Sequence, residues 1–299
     1  MRSSFAIAVL AAGVIVLSAQ PAIKVRVTTV LIEAVVVSNG KLVHGLTREQ
    51  FEVFEDGRRQ QVQYFSEDSD LPVTLGILAD EGSRMKTEQI AAVKEFLFRF
   101  VHLLKPNDEI LLGAFGEDVR MLGPLTSDRT ILTRALDEIY LGARKRAWFR
   151  DGRWQFSGNS HTGYAVDWMI RKLGAAQHRR RVILVFSNTF GNTGEATEDH
   201  LQAAGIFFYT VSFPDATSTV LSLGGDRMAV ASILDGTAGA SFRFSNEPEL
   251  ARQVAADICS QYNLGYPLAE GKDLDNRNIE VRIAGKDYKV RFRRKLMRP

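Results

Sequence analysis

Between Leu71 and Tyr262, apolar runs that read as strands alternate with segments of helical periodicity, and this alternation leaves few folds open. A strand that reaches the next parallel strand through a helix belongs to a sheet covered on both faces. Residues 71–79 (LPVTLGILA) are a continuous apolar strand, and the next segment sets Ile90, Val93, Leu97, Val101 and Leu104 on one helical face. A strand over 109–115, an antiparallel edge strand over 119–125 and a helix capped by Ser127 running to Ile139 follow. Helices over 162–173, 195–204, 226–234 and 247–262, with strands over 182–187, 206–213 and 241–244, complete the pattern. The fold class expected is α/β: a doubly wound, mostly parallel six-stranded sheet with helices on both faces.

The flanks read differently. Residues 23–37 are rich in β-branched residues, and Thr47 with Gln50 fits a capping box before a strand at 51–54. Asp56-Gly57 is a hairpin turn that would join this strand to 61–65, followed by an acidic linker at 67–70. Near the C-terminus Ile279, Val281 and Ile283 alternate, as do Tyr288, Val290 and Phe292, with Gly285-Lys286-Asp287 between them, which predicts a second hairpin. An isolated hairpin is marginal in water, so the two flanks are expected to pair into a small β domain. The expected division is a signal peptide at 1–19, an N-terminal β segment at 20–66, the α/β domain at 71–265 and the C-terminal hairpin at 276–294.

Arg2, an apolar run over 5–17 and Ser18-Ala19-Gln20-Pro21 have the layout of a secretory signal peptide with cleavage after Ala19. The alternative is an uncleaved anchor. The expected location is exported: periplasmic, cell-surface or extracellular, with membrane contact only if that segment stays attached. A single cysteine, Cys259, rules out an internal disulfide and a multi-cysteine zinc site. The net charge of +3 sits largely in short runs, Arg179 to Arg181 and 291–295, that read as solvated faces and not as a nucleic-acid surface.

No HExxH, G-x-S-x-G or P-loop pattern occurs, and the five histidines are scattered, so neither an enzyme nor a small-molecule substrate is expected. The stretch 141–161 reads as a long loop that is both basic and aromatic, with Arg144, Lys145, Arg146, Trp148, Arg150, Arg153 and Trp154. It is either a contact site or a flap folded back over the domain edge.

In open α/β sheets ligands bind beyond the carboxyl ends of the strands, and the first strand ends in Asp80-Glu81-Gly82-Ser83-Arg84-Met85. Here the sequence resembles the von Willebrand factor type A domain, whose metal-ion-dependent adhesion site uses Asp-x-Ser-x-Ser, a later Thr and an Asp after the fourth strand. GLTREQFEVFEDG at 45–57, LTSDR at 125–129 and SQYNLGY at 260–266 further resemble the exported von Willebrand factor A-related family typified by Acidobacteria. The resemblance implies a Rossmann-like fold and binding of a protein ligand at the sheet apex.

Carried over position by position, the implied metal ligands are Asp80 and Thr162, while the other three positions hold Gly82, Arg84 and Asn188. Gly82 offers no side-chain oxygen, Arg84 brings a fixed cation, and Asn188 removes a negative charge. The expectation is therefore a degenerate site with no cofactor, or weak Mg²⁺ or Mn²⁺ at most. Either Arg84 replaces the ion, pairing with Asp80 and Asn188, or the site has simply decayed. Arg84, Trp148, Arg150, Trp154, His161 and Asn188 are the residues expected to meet a protein partner, whose identity the sequence does not give. The second reading is a metal-independent structural component of the cell envelope, held by an uncleaved N-terminus.

Overall fold

The computed structural model describes residues 29–67, 71–82, 85–139, 147–150, 153–156, 161–176, 178–188, 190, 195–213, 224–268 and 278–293; the side chains of 147–156, 195 and 224–229 are outside that description. The expected signal peptide and the expected site residue Arg84 lie outside the described residues. Five short strands come first: β1 (Thr29–Ser38), β2 (Lys41–Leu42), β3 (Phe51–Glu55), β4 (Arg58–Gln60) and β5 (Tyr64–Glu67). The alternating part runs β6 (Val73–Asp80), α1 (Thr87–Leu103), β7 (Glu109–Phe115), β8 (Val119–Met121), α2 (Arg129–Asp137), β9 (Ala147–Arg150), β10 (Arg153–Phe156), α3 (Thr162–Leu173), β11 (Arg180–Phe186), α4 (Glu195–Ala204), β12 (Ile206–Ser212), α5 (Gly224–Gly236), β13 (Ser241–Arg243) and α6 (Pro248–Cys259). Strands β14 (Tyr262–Pro267), β15 (Ile279–Ile283) and β16 (Lys289–Phe292) close the chain.

The main sheet has six strands in the order β13-β12-β11-β6-β7-β8, all parallel except the antiparallel edge strand β8. This is the doubly wound α/β architecture. Its central strand β6 is buried along its whole length, as a strand covered on both faces must be. One face packs Leu75, Ile77, Leu112, Leu184 and Phe207 against α1, α2 and α6, and the other packs Leu78, Leu111, Ile183 and Phe208 against α3, α4 and α5. At Gly76 a Cβ would come within 2.6 Å of the Met169 side chain, so the missing side chain lets α3 settle onto β6.

The flanking strands form a second core. A five-stranded sheet runs β16-β1-β14-β5, with β2 on β1, and a three-stranded sheet runs β15-β3-β4. Between them lie Ile32, Val36, Phe51, Val53, Tyr262, Leu264, Tyr266 and Val281. Phe51 touches both Phe65 and Tyr262, with ring centroids 5.7 and 5.0 Å apart.

Several local expectations change here. Helix α2 is capped by Asp128 and not Ser127: its carboxylate accepts from the Thr130 and Ile131 amides at 2.7 and 3.3 Å. Residues 260–262 do not continue α6; Tyr262 opens β14, which lies between β1 and β5. The alternation of Tyr262, Leu264 and Tyr266 is the strand signal, hidden in the sequence by the helical period that runs up to it.

The two expected hairpins also rearrange. Turn Asp56-Gly57, with φ of 50° and 75°, joins β3 to Arg58–Gln60, while residues from Tyr64 onward pair with β14 in the other sheet. Tyr64 is accordingly exposed and Phe65 packs inward. Likewise β15 pairs with β3 and β16 with β1, so 279–292 crosses from one sheet to the other. A two-layer β unit buries more than one ribbon can, and that gain decides the pairing. The stretch 141–161 contains a two-stranded ribbon, β9 and β10, where a loop was expected.

The α/β and β units meet at buried charges. Arg291 donates to Asp257 Oδ1 at 2.6 Å and to the Gly239 carbonyl at 2.9 Å, and Asp257 also accepts from the Tyr209 hydroxyl at 3.0 Å. Arg293 pairs with Glu33. Arg180 lies buried with its guanidinium 5.6 Å from the Phe207 ring centre, and burial pulls it below the usual arginine range. Burial also raises the Cys259 thiol, which packs against the main core. Arg291 and Arg293 belong to the basic run read as a solvated face, but these two are largely buried.

Removing one partner of a buried pair strands the other charge, so Arg291→Met is expected to lower unfolding free energy by about 3–5 kcal/mol in urea titration. Arg291→Met/Asp257→Leu should regain much of that loss. A single-variant loss under about 1 kcal/mol, the scale of an exposed pair, would mean the pair does not hold the junction.

Candidate functional site

The carboxyl ends of β6, β7, β11 and β12 form a rim where the expected site residues gather. Asp80 is the last residue of β6 and is 2% exposed. A carboxylate buried that deeply needs donors, and two are present: the Gly82 amide on Oδ1 at 2.7 Å and the Ser187 hydroxyl on Oδ2 at 2.6 Å. The first bond folds the loop after β6 back on itself. The second ties the end of β6 to the end of β11.

Asn188 follows Ser187 and is also buried. Its Nδ2 donates to Gln89 Oε1 at 3.0 Å, and its Oδ1 accepts from the Phe213 amide at 3.3 Å. The same Gln89 oxygen accepts from the Lys86 amide at 2.9 Å, closing the first turn of α1, where Lys86 offers no capping oxygen of its own. One amide side chain thus links the start of α1, the end of β11 and the end of β12.

The neighbouring carboxylate is committed too. Arg120 Nη2 donates to both oxygens of Glu81 at 2.9 Å and to the Glu138 carbonyl at 3.1 Å. The Glu81 amide donates to the Phe115 carbonyl at 2.7 Å, and a Cβ on Gly116 would stand 3.7 Å from Gly82, so the loops after β6 and β7 adjoin. The His161 amide donates to the Gly116 carbonyl at 3.2 Å, which brings the start of α3, with fully buried Thr162, to the same rim.

The structure therefore gathers Asp80, Gly82, His161, Thr162 and Asn188. Trp148 and Arg150 lie on β9 and Trp154 on β10, and only their backbone is described. Four bonded residues were not singled out from sequence: Ser187, Gln89, Glu81 and Arg120. Ser187 and Gln89 carried faint signals, one adjoining Asn188 and the other at the third position of a helix. Arg120 is 39 residues from Glu81 and carried none. Among the described residues no group of three or more His, Cys, Asp or Glu is placed to hold a metal ion.

Ser187→Ala leaves the buried Asp80 carboxylate one donor short, and a loss of about 1–3 kcal/mol in unfolding free energy is expected by urea denaturation. A neutral result would mean that water or another donor replaces the hydroxyl.

Comparison with known proteins adds the following. Residues 75–191 match the family model described as the von Willebrand factor type A domain. No curated protein sequence matches the chain. Among solved structures, proximal thread matrix protein 1 from the mussel byssus, with a zinc-occupied MIDAS (metal-ion-dependent adhesion site) motif, is 12% identical, covering 70% of this chain and 50% of that one, with a TM-score of 0.50. An aerotolerance-related membrane protein from Bacteroides fragilis is 16% identical over 62% of this chain and 98% of its own, with a TM-score of 0.49. A von Willebrand factor type A protein from Catenulispora acidiphila is 10% identical over 81% of this chain and 75% of its own, with a TM-score of 0.48. At 12% identity the likeness to the mussel protein is one of fold. The strand order, the two helical layers and the match over residues 75–191 agree: the α/β unit of this chain has the von Willebrand factor type A fold.

Proposed function

We propose that this chain is an exported, non-enzymatic protein-interaction module that uses the rim of its α/β unit without a metal ion. The reading includes membership of the exported family resembled at 45–57, 125–129 and 260–266, and removal of residues 1–19 as a signal peptide. The observation that carries it is the internal bonding of the rim. Asp80 is held by Gly82 and Ser187, Asn188 by Gln89 and Phe213, and Glu81 by Arg120.

The described residues do not fit a divalent cation. A Mg²⁺ site of this kind draws on carboxylate and hydroxyl oxygens. Here Gly82 has no side chain, the Asn188 oxygen is taken by a backbone amide, and one nearby carboxylate is turned to an arginine. The mussel protein's MIDAS motif holds zinc; this chain departs from such a motif at Gly82, Arg84 and Asn188.

The rim's chemistry also favours contact over catalysis. The Ser187 hydroxyl donates a hydrogen bond to Asp80 and is fully buried, so a substrate cannot reach it as a nucleophile. His161, half-buried, and Tyr164, 55% exposed one turn into α3, offer contact surface beside it. Tyrosine of this kind suits protein contact, since it brings apolar area and a hydroxyl together.

Two measurements test the reading. The thermal midpoint of the protein should not change between EDTA and millimolar Mg²⁺, Mn²⁺ or Ca²⁺, whereas Gly82→Ser/Arg84→Ser/Asn188→Asp should gain; a ligand at 100 times its Kd adds about 2.7 kcal/mol. A shift of the parent protein would overturn the metal-free reading. A photo-crosslinking residue at position 164, in cells producing the protein, should yield a discrete protein adduct that EDTA leaves intact and that position 134 on α2 does not give. Equal labelling at both positions would remove the rim as the contact site.

A further inference from the structure

Four arginines meet two carboxylates where the α/β and β units join. Arg291, on β16, pairs with Asp257, and Arg293, just after that strand, pairs with Glu33; both carboxylates are buried. These are the two carboxylates whose fields reach Arg180, and each already has an arginine of its own. Arg181, half-buried on β11, donates through Nη2 to the Ala204 carbonyl at 2.7 Å. Arg180 precedes it on the same strand and is 3% exposed, and its Nη2 donates to the Ser260 carbonyl at 3.4 Å. A carbonyl is a dipole and does not cancel a full charge, so the Arg180 cation is buried without a counter-charge.

The hydrogen-bond inventory shows the same surplus. Nε and Nη1 of Arg180 and Nε and Nη1 of Arg293 are enclosed and have no hydrogen-bond partner among the described residues. The guanidinium groups of these two arginines lie 5.6 and 5.4 Å from the centre of the Phe207 ring, so the unmet donors gather around one side chain. Buried donors of this kind are costly to leave unmet. A lysine in such a place could shed its proton, but an arginine keeps its charge when buried. Water would satisfy the N–H groups and leave the charge uncancelled. An anion does both.

We propose that the junction binds a small monovalent inorganic anion of the chloride class, held by the unmet N–H groups of Arg180 and Arg293. A halide suits an enclosed position, because it is compact and gives up its water more readily than the doubly charged sulfate or phosphate. Bound there, it joins β11 of the α/β unit to the end of β16 and so helps to fix the seat of the C-terminal strand. The site is separate from the rim and independent of the protein-binding reading.

The test uses the full chain. Crystals grown with bromide in place of chloride should give an anomalous peak within hydrogen-bond reach of the Arg180 and Arg293 guanidinium groups. In solution, gluconate replaced stepwise by chloride at constant ionic strength should raise the thermal midpoint along a saturating curve. The expected rise is roughly 2–4 °C at ten times the half-filling concentration. Arg180→Met keeps an apolar stem and removes the charge, so its midpoint should not respond to the exchange. A chloride response that persists in Arg180→Met overturns the proposal, as does a bromide map with no peak at the two arginines. A bromide peak there, with no response of the parent midpoint to chloride, means an adventitious ion only and also overturns it. The diffraction measurement needs no variant, so the proposal stays falsifiable if Arg180→Met fails to fold.

Discussion

The rest of the structure depends on burying β6 on both sides. A strand paired in parallel with β11 and β7, and covered above and below by helices, has no face left for water. This condition selects Val73, Leu75, Ile77 and Leu78 as core residues, and it makes Gly76 useful as the place where α3 approaches closely. It also brings a carboxylate into the interior, because the strand ends in Asp80. The bonds from Gly82 and Ser187 follow from that burial.

The rim is best understood as the polar closure of this core. Parallel strands end together on one side of the sheet, and their loops leave backbone amides and carbonyls to be satisfied. In this chain side chains of the protein do that work: Asn188 serves the Phe213 amide, Gln89 serves Lys86 and Asn188, and Glu81 takes Arg120. A carboxylate at position 188 could not donate to Gln89. Asn188 therefore has a local structural role beyond its place in a motif.

The junction of the two units rests on a different balance. Arg180, Arg181, Arg291 and Arg293 gather near Glu33 and Asp257, so basic groups outnumber acidic ones in a largely buried region. Arg180 and Arg293 both lie against the Phe207 ring, at 5.6 and 5.4 Å, where the ring face offsets part of the charge. The pairs fix where the C-terminal strand sits, and β16 enters the sheet at β1 in that position.

The sequence by itself determined the periodic part of this protein. Continuous apolar runs for β6, β7, β11 and β12, and one-sided helices such as α1 and α3, are local patterns, and local patterns are visible in a single chain. The position of Asp80 at the carboxyl end of β6 was equally legible, because strand ends locate ligand rims in this class of fold. What the tertiary structure decided are matters of pairing between distant residues: that β14 belongs with β1, that 279–292 divides between two sheets, and that Arg291 is buried against Asp257. The partners of Asp80 and Asn188, Ser187 and Gln89, fall in the same class. Each depends on which surfaces are buried together, a property of the packed chain and not of any stretch of sequence.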